Sequence, residues 1–171
     1  GCGSTMHEYH LILKGTPDEP RAEAFRHRVV DVSVFLARIG LRETPAGWGD
    51  KRVVAYHDAC HLANAQNVRA QPRDLLRAIP GVELQEIADA HLCCGSAGTY
   101  NLDQPEIAGS LGGQKAKAVI ATGAGVVATG NIGCLTQLGV HLRKLGSPVR
   151  VRHTMQVLRD AYADAGAERR H

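Results

Sequence analysis

Three short runs with the composition of buried β-strands each lead into cysteine, and this repeated order constrains the fold more than any other feature. The runs cover residues 52–57, 83–87 and 126–129, and they lead to Cys60, to Cys93-Cys94 and to Cys134. In a parallel α/β sheet the carboxyl ends of the strands meet at one crevice, where such folds bind ligands. The order therefore predicts that four thiols converge at one edge of the sheet, which suits an iron–sulfur cluster or a structural zinc ion.

Helical patterns separate these runs. Helices are predicted over residues 61–78, 105–122, 135–145 and 155–163, with a fourth short strand at 149–152. Strand and helix then alternate along the chain, which predicts an α/β fold with a mainly parallel sheet flanked by helices. Upstream, an apolar stripe from Phe25 to Ile39 predicts one helix over Pro20–Gly40, with Gly40 as its C-terminal cap.

Charge and composition exclude several classes of protein. The net charge of the 171 residues is only +3, and no run of Lys and Arg is interleaved with aromatic residues, so nucleic-acid binding is not predicted. Five cysteines are an odd number, which argues against a closed disulfide framework. No apolar stretch is long enough to span a bilayer and no signal peptide is visible, so we expect a reducing cytoplasmic setting.

The surroundings of the cysteines favour thiolates. Cys60 and Cys134 each precede a predicted helix, whose amino terminus carries partial positive charge and free N–H groups. The alternative is that each cysteine is a small buried hydrophobe, since no Cys-x-x-Cys spacing occurs. Adjacent Cys93 and Cys94 in a Gly/Ser loop are difficult to explain by core packing. The pair Lys115 and Lys117 predicts a solvated helix face.

Three segments resemble the cysteine-rich CCG domain family. They are Tyr56–Leu62, Leu92–Asn101 and Gly130–Cys134. The family includes heterodisulfide reductase B subunits and the iron–sulfur subunits of glycolate oxidase, lactate-utilisation proteins and anaerobic glycerol-3-phosphate dehydrogenase. Residues 93–101 and 131–137 are most similar to the glycolate oxidase subunits, so the chain resembles the C-terminal part of such a subunit.

The resemblance also implies a division of the chain. Residues 46–171 would form the CCG domain, and residues 1–45 would be a connecting segment and helix from a preceding unit. Cys2-Gly3 matches the end of that unit, and the chain has no initiator Met. We therefore expect a fragment whose partners include a missing ferredoxin-like region and a first CCG region.

The family pattern implies the ligands. It consists of a lone Cys, a Cys-Cys-Gly and a Cys-x-x-Cys, and here Asn131 replaces the first Cys of the last pair. The metal ligands implied are Cys60, Cys93, Cys94 and Cys134, which suit one cubane [4Fe–4S] cluster. Residues expected around the cluster are His57, His61, Gly95, Tyr100, Asn131 and His153. Either His57 or His61 is an alternative ligand, and Asn131 either donates to a cluster sulfur or only makes a turn with left-handed backbone.

The resemblance implies electron transfer. The chain would relay electrons from a flavin subunit, which oxidises glycolate to glyoxylate, towards a quinone, and it would hold no catalytic residue of its own. It would be cytoplasmic, bound at the inner face of the membrane through partners. The alternatives are the equivalent subunit for lactate or glycerol 3-phosphate, a structural zinc module that holds an interface, and a thiol redox enzyme that uses Cys93-Cys94 as a dithiol.

Overall fold

A four-stranded parallel sheet forms the centre of the molecule. The computed structural model describes residues 2–48 and 50–168, so parts of both predicted domains (residues 1, 49 and 169–171) lie outside the described residues. The strands are β1 (Arg52–His57), β2 (Val82–Glu86), β3 (Val126–Thr129) and β4 (Arg150–His153). Their order across the sheet is β2-β1-β3-β4, and every neighbouring pair is parallel. The predicted α/β fold with a mainly parallel sheet is confirmed.

Helices precede the sheet and connect its strands. The upstream helices are α1 (Cys2–His7), α2 (Tyr9–Ile12), α3 (Glu19–Arg26) and α4 (Val32–Ile39). The later helices are α5 (Ala70–Arg77), α6 (Tyr100–Asp103), α7 (Pro105–Ala121), α8 (Ile132–Lys144) and α9 (Thr154–Glu168). A single π-helical turn, His61–Ala65, follows β1.

Side-chain alternation along the strands divides the core into two layers. Val54 and Tyr56 of β1 pack with Leu76 of α5 and Val157 of α9 on one face of the sheet. Ala55 faces the opposite layer, which α7 and α8 cover. His57 follows Ala55 at a two-residue interval, so its side chain lies on the α7 and α8 face, at the carboxyl end of β1.

The upstream helix is not continuous, so the prediction of one helix over Pro20–Gly40 is wrong. Residues 27–31 separate α3 from α4, and the Asp31 carboxylate accepts a hydrogen bond of 2.8 Å from the Ser33 N–H, which starts α4. Competition from such a cap breaks a helix where the sequence pattern alone continues. Gly40 does end α4, at φ 74°. The stripe is not buried, because Phe25 is 40% and Ile39 62% exposed.

The helix predicted over residues 61–78 is also interrupted. The π-helical turn ends at Ala65, and α5 begins only at Ala70. Helix α7 agrees closely with the predicted 105–122. Helix α8 begins three residues before the predicted 135–145, so Cys134 lies inside its first turn and not ahead of it. In the part of the chain that the structure describes, no helix combines the length and the apolar character that a bilayer span requires.

Candidate metal centre

The order of the strands creates a crevice between β1 and β3. The chain leaves β1 for β2 on one side, then returns across the sheet to β3 on the other side. In doubly wound folds this reversal leaves a crevice beyond the carboxyl ends of the two diverging strands, where ligands bind. His57 and Thr129 are register partners at those ends. Cys60 and Cys134 follow them by three and five residues.

Two cavities meet at this crevice. The smaller has a volume of about 20 Å³, and its lining includes all four predicted ligands: Cys60, Cys93, Cys94 and Cys134. His57 and Asp58 also line it. The larger, of about 190 Å³, shares Cys60 and Cys134 with the first and is also lined by His61, Ser96 and Asn131.

The Cys-Cys-Gly segment lies in the loop after β2. Cys94 is buried and Cys93 half-buried. Gly95 has φ 85°, and a Cβ atom there would overlap the backbone carbonyl of Ala108 in α7, so only glycine fits this contact. The Gly95 N–H donates to the Cys93 sulfur at 3.3 Å. Burial nevertheless raises the pKa of the Cys93 thiol above its ordinary value.

Cys134 lies in the first turn of α8, where it is buried. The Asn131 side-chain oxygen caps this helix, accepting hydrogen bonds from Gly133 N–H at 2.9 Å and Cys134 N–H at 3.3 Å. Asn131 has an extended backbone, φ −138°, so the expectation of a left-handed turn residue is wrong. Its position is explained by helix capping, and its side chain lines the larger cavity.

Three donor atoms form the inner part of the site. A ring nitrogen of His57 and the sulfurs of Cys94 and Cys134 all lie within 4.8 Å of one another, and all three residues are buried. The hydrogen bond from the Cys134 thiol is the largest cause that holds the pKa of Cys94 well below its usual range, and His57 and Ser96 add to it. The same contact raises the pKa of Cys134. The ionisation of either sulfur therefore depends on the other.

This donor set fits a metal. His57 is 2% exposed, and its Nδ1 has no hydrogen-bond partner among the described residues, although buried ring nitrogens are normally satisfied. Two cysteine sulfurs and an imidazole within one small volume are ligands for zinc or iron. Cys60 and Cys93, on the same cavity wall, add two further sulfurs.

The remaining predicted residues lie further out. His61 is exposed on the wall of the larger cavity, and its carbonyl accepts a hydrogen bond of 3.1 Å from the Ser4 hydroxyl. Tyr100 begins α6, and His153 ends the edge strand β4, where its Nδ1 accepts from Met155 N–H at 3.2 Å. Neither Tyr100 nor His153 lines the two cavities.

Sequence reasoning missed two residues near the site. The Ser96 hydroxyl lies 3.3 Å from the Cys94 sulfur, and a serine directly after Cys-Cys-Gly was a usable signal. Asp58 lines the smaller cavity and carries an ion pair with Arg73 at 2.7 Å. No sequence spacing connects Asp58 with an arginine fifteen residues later.

Comparisons with known proteins identify the family of this chain. A family profile described as the CCG cysteine-rich domain matches residues 54–139, about half of the chain. A Bacillus subtilis protein named "Probable glycolate oxidase iron-sulfur subunit" is 37% identical over 164 residues, which are 94% of this chain and 37% of that protein. The Escherichia coli "Glycolate oxidase iron-sulfur subunit" is 36% identical, over 94% of this chain and 38% of its own length.

A third relative has a different name. "Lactate utilization protein A" of Oceanobacillus iheyensis is 32% identical over 158 residues, covering 92% of this chain and 64% of that protein. The chain thus spans less than two fifths of the two glycolate oxidase subunits and less than two thirds of this relative.

Proposed function

The chain belongs to the CCG family of cysteine-rich domains, and from this premise we propose that it holds an iron–sulfur centre and transfers electrons within an oxidoreductase. One observation carries the proposal: a cavity at the β1–β3 crevice is lined by four cysteines and by a buried histidine that, among the described residues, has an unpartnered ring nitrogen. The names of the relatives supply the class of cofactor.

Four residues would hold a [4Fe–4S] cluster: Cys60, Cys93, Cys94 and Cys134. When bound, such a cluster accepts and releases single electrons, at a potential set by charge, hydrogen bonds and solvent exposure. The chain's own contribution is then to exclude water and to supply N–H groups. Cys94 and Cys134 are almost fully buried, and the first turn of α8 lies beside Cys134, where the helix dipole favours negative charge.

The wider assignment follows the relatives. We propose that the parent protein is an electron-transfer subunit of a glycolate dehydrogenase, which receives electrons from a flavin subunit and passes them towards a quinone. The chain would not be catalytic alone, and residues 1–45 would connect residues 46–171 to a preceding unit. Lactate and glycerol 3-phosphate are the alternative parent substrates. The complex would be cytoplasmic and attached to the membrane through its partners.

Structural zinc is the second candidate, and a specific observation favours it. The cavity that touches all four cysteines has a volume of only about 20 Å³, which is close to the space of one water-sized sphere. A single ion with ligands at about 2.3 Å would fill it. A cubane would also need the neighbouring cavity of about 190 Å³, which shares Cys60 and Cys134 with the smaller one.

Metal analysis of the chain, prepared without oxygen, tests the proposal. We expect about four iron and four sulfide per chain, with broad visible absorption. Zinc alone would support the structural module, and a metal-free chain with dithiol activity would support the thiol redox enzyme; either result would contradict the proposal.

Matched serine variants test the ligands. Cys134→Ser should lose most of the iron. Cys2→Ser should keep it, because Cys2 is exposed and lines neither cavity. Loss of iron in the Cys2 variant would show that this assignment is wrong.

A further inference from the structure

Lys115 is fully buried, so the prediction that it belongs to a solvated helix face is wrong. Its side chain is 0% exposed, whereas Lys117, two residues later on α7, is exposed. The inward stripe of α7 consists of Ala108, Gly112, Lys115, Ala116 and Val119. A lysine in the middle of such a stripe needs an explanation, because lysine is almost never fully buried unless it is paired.

The Lys115 ammonium binds the loop that carries the two adjacent cysteines. Its Nζ donates a hydrogen bond of 2.6 Å to the backbone carbonyl of Asp89. Asp89 has φ 53°, a left-handed conformation that non-glycine residues rarely adopt. An anchored carbonyl at this residue therefore fixes the direction in which the loop leaves β2 towards Cys93.

The other end of the same loop touches the same face of α7. Gly95 packs so closely on the Ala108 carbonyl that a Cβ would not fit. Ala108 and Lys115 are seven residues apart, which is two helical turns, so both lie on one face of α7. The segment 89–95 is thus held between two contacts with a single rigid helix, and Cys93 and Cys94 lie inside it.

The Lys115 ammonium depends on this loop for its partner. In the part of the chain that the structure describes, the ammonium has one hydrogen-bond acceptor, the Asp89 carbonyl, although it carries three donors. Burial lowers the pKa of Lys115. Opening of the loop would leave a buried ammonium without a partner, which is costly, so the contact resists opening.

We propose that Lys115 is a positioning residue: it anchors the Asp89–Gly95 loop on α7 and so holds Cys93 and Cys94 at the candidate metal centre. The consequence for a bound metal rests on the proposed function, whereas the anchoring of the loop does not.

The first test measures the loop in the full chain without metal, so that it does not depend on the cofactor. Lys115→Met keeps the length and apolar stem and removes the ammonium, and Lys117→Met is the matched control. Hydrogen exchange of the amides in residues 88–95 should become at least tenfold faster in the first variant and stay within twofold in the second. Unchanged exchange in Lys115→Met would overturn the anchoring effect. If Lys115→Met does not fold, Lys115→Leu, which also lacks a donor, replaces it with the same expectation.

The second test measures the iron content of the iron-loaded chain. Lys115→Met should hold less iron than the parent chain, because the loop that carries Cys93 and Cys94 is loosened. Lys117→Met should hold as much as the parent. Equal iron content in the two variants would overturn the positioning of the cysteine pair by Lys115. If the parent chain takes up no iron, the proposed function fails, and the exchange measurement still decides whether Lys115 anchors the loop.

Discussion

Removal of the Arg73 guanidinium should cost much stability for a small change in volume. It lies on α5, and its guanidinium forms two hydrogen bonds to Asp58, at 2.7 and 2.9 Å, and two to Glu86, each at 2.8 Å. The guanidinium carbon also lies 4.6 Å from the centre of the Tyr56 ring. Arg73→Met keeps the apolar stem and removes every one of these contacts.

The two carboxylates contribute very unequally to the expected loss. The side chain of Asp58 is 6% exposed and that of Arg73 13%, so the variant leaves an almost buried carboxylate without a partner. Breaking such a pair from one side costs about 3–5 kcal/mol. Glu86 is 51% exposed, so its share is about 0–1 kcal/mol after solvent screening. Because such terms are not additive, we expect a total loss of about 3–4 kcal/mol.

Urea unfolding of the metal-free chain measures this loss. With a slope of about 2 kcal/mol/M, a loss of about 3 kcal/mol lowers the midpoint by about 1.5 M. Arg77→Met is the matched control: this arginine also lies on α5, its side chain is 55% exposed, and it lies 3.9 Å from Glu86. Its variant should lose no more than about 0.5 kcal/mol. Equal midpoints for the two variants would refute the reasoning, as would failure of Asp58→Asn to recover stability in the Arg73→Met background.

Three further predictions concern single residues. Gly95→Ala should lower the free energy of unfolding by about 2–4 kcal/mol, since it adds overlap with α7 to backbone strain. The control Gly98→Ala, at φ 62° in open space, should show backbone strain alone. Equal losses of unfolding free energy in urea for the two variants would contradict this prediction. The hydrogen bond with Arg73 lowers the pKa of Glu86 below its ordinary 4.5. The stabilisation from this hydrogen bond is therefore complete above pH 4.5, and it is lost as the pH falls through the lowered pKa of Glu86 in the folded chain. Acid unfolding of Arg73→Met should lack this pH-dependent loss of stability. Asn131→Asp should keep the helix cap but lower the potential of a bound cluster, and an unchanged potential in redox titration would show that Asn131 acts only as a cap.

The strands of the fold could be predicted closely because each is a short buried run with a distinct boundary. The predicted runs 52–57 and 126–129 coincide with β1 and β3, and the other two strands differ by one residue at each end. Every side chain of β3 is buried, so its sequence is apolar or small throughout, as is typical of parallel sheets.

The prediction of one continuous upstream helix was wrong, because hydrophobic periodicity shows which residues share a helix face but not what covers that face. Phe25 and Ile39 keep helical spacing yet remain exposed, and the Asp31 cap competes with a continuous helix. Tyr100 and His153 were expected near the cluster from their position in the sequence. Neither lines the two cavities; α6 carries one and the edge strand β4 carries the other.

Lys115 could not be identified from the sequence, since its partner is a backbone carbonyl that carries no residue signal. The same holds for the ion pair of Arg73 with Asp58. Both are long-range contacts that depend on how α5 and α7 dock on the sheet. Sequence patterns indicate which residues are chemically able to form a site. The packing of the helices on the sheet decides which charged groups lie near those residues.

The placement of β2 explains why the site depends on α7. β2 is the outer neighbour of β1, whereas the crevice lies between β1 and β3. With strands about 4.8 Å apart, the loop after Glu86 must cross about 7 Å over the end of β1 before Cys94 can reach Cys134. Nothing in the sheet itself holds a loop on that path. The contacts of Asp89 and Gly95 with α7 hold it there, so weakening them should separate the Cys93-Cys94 sulfurs from Cys134 while the strand register stays intact.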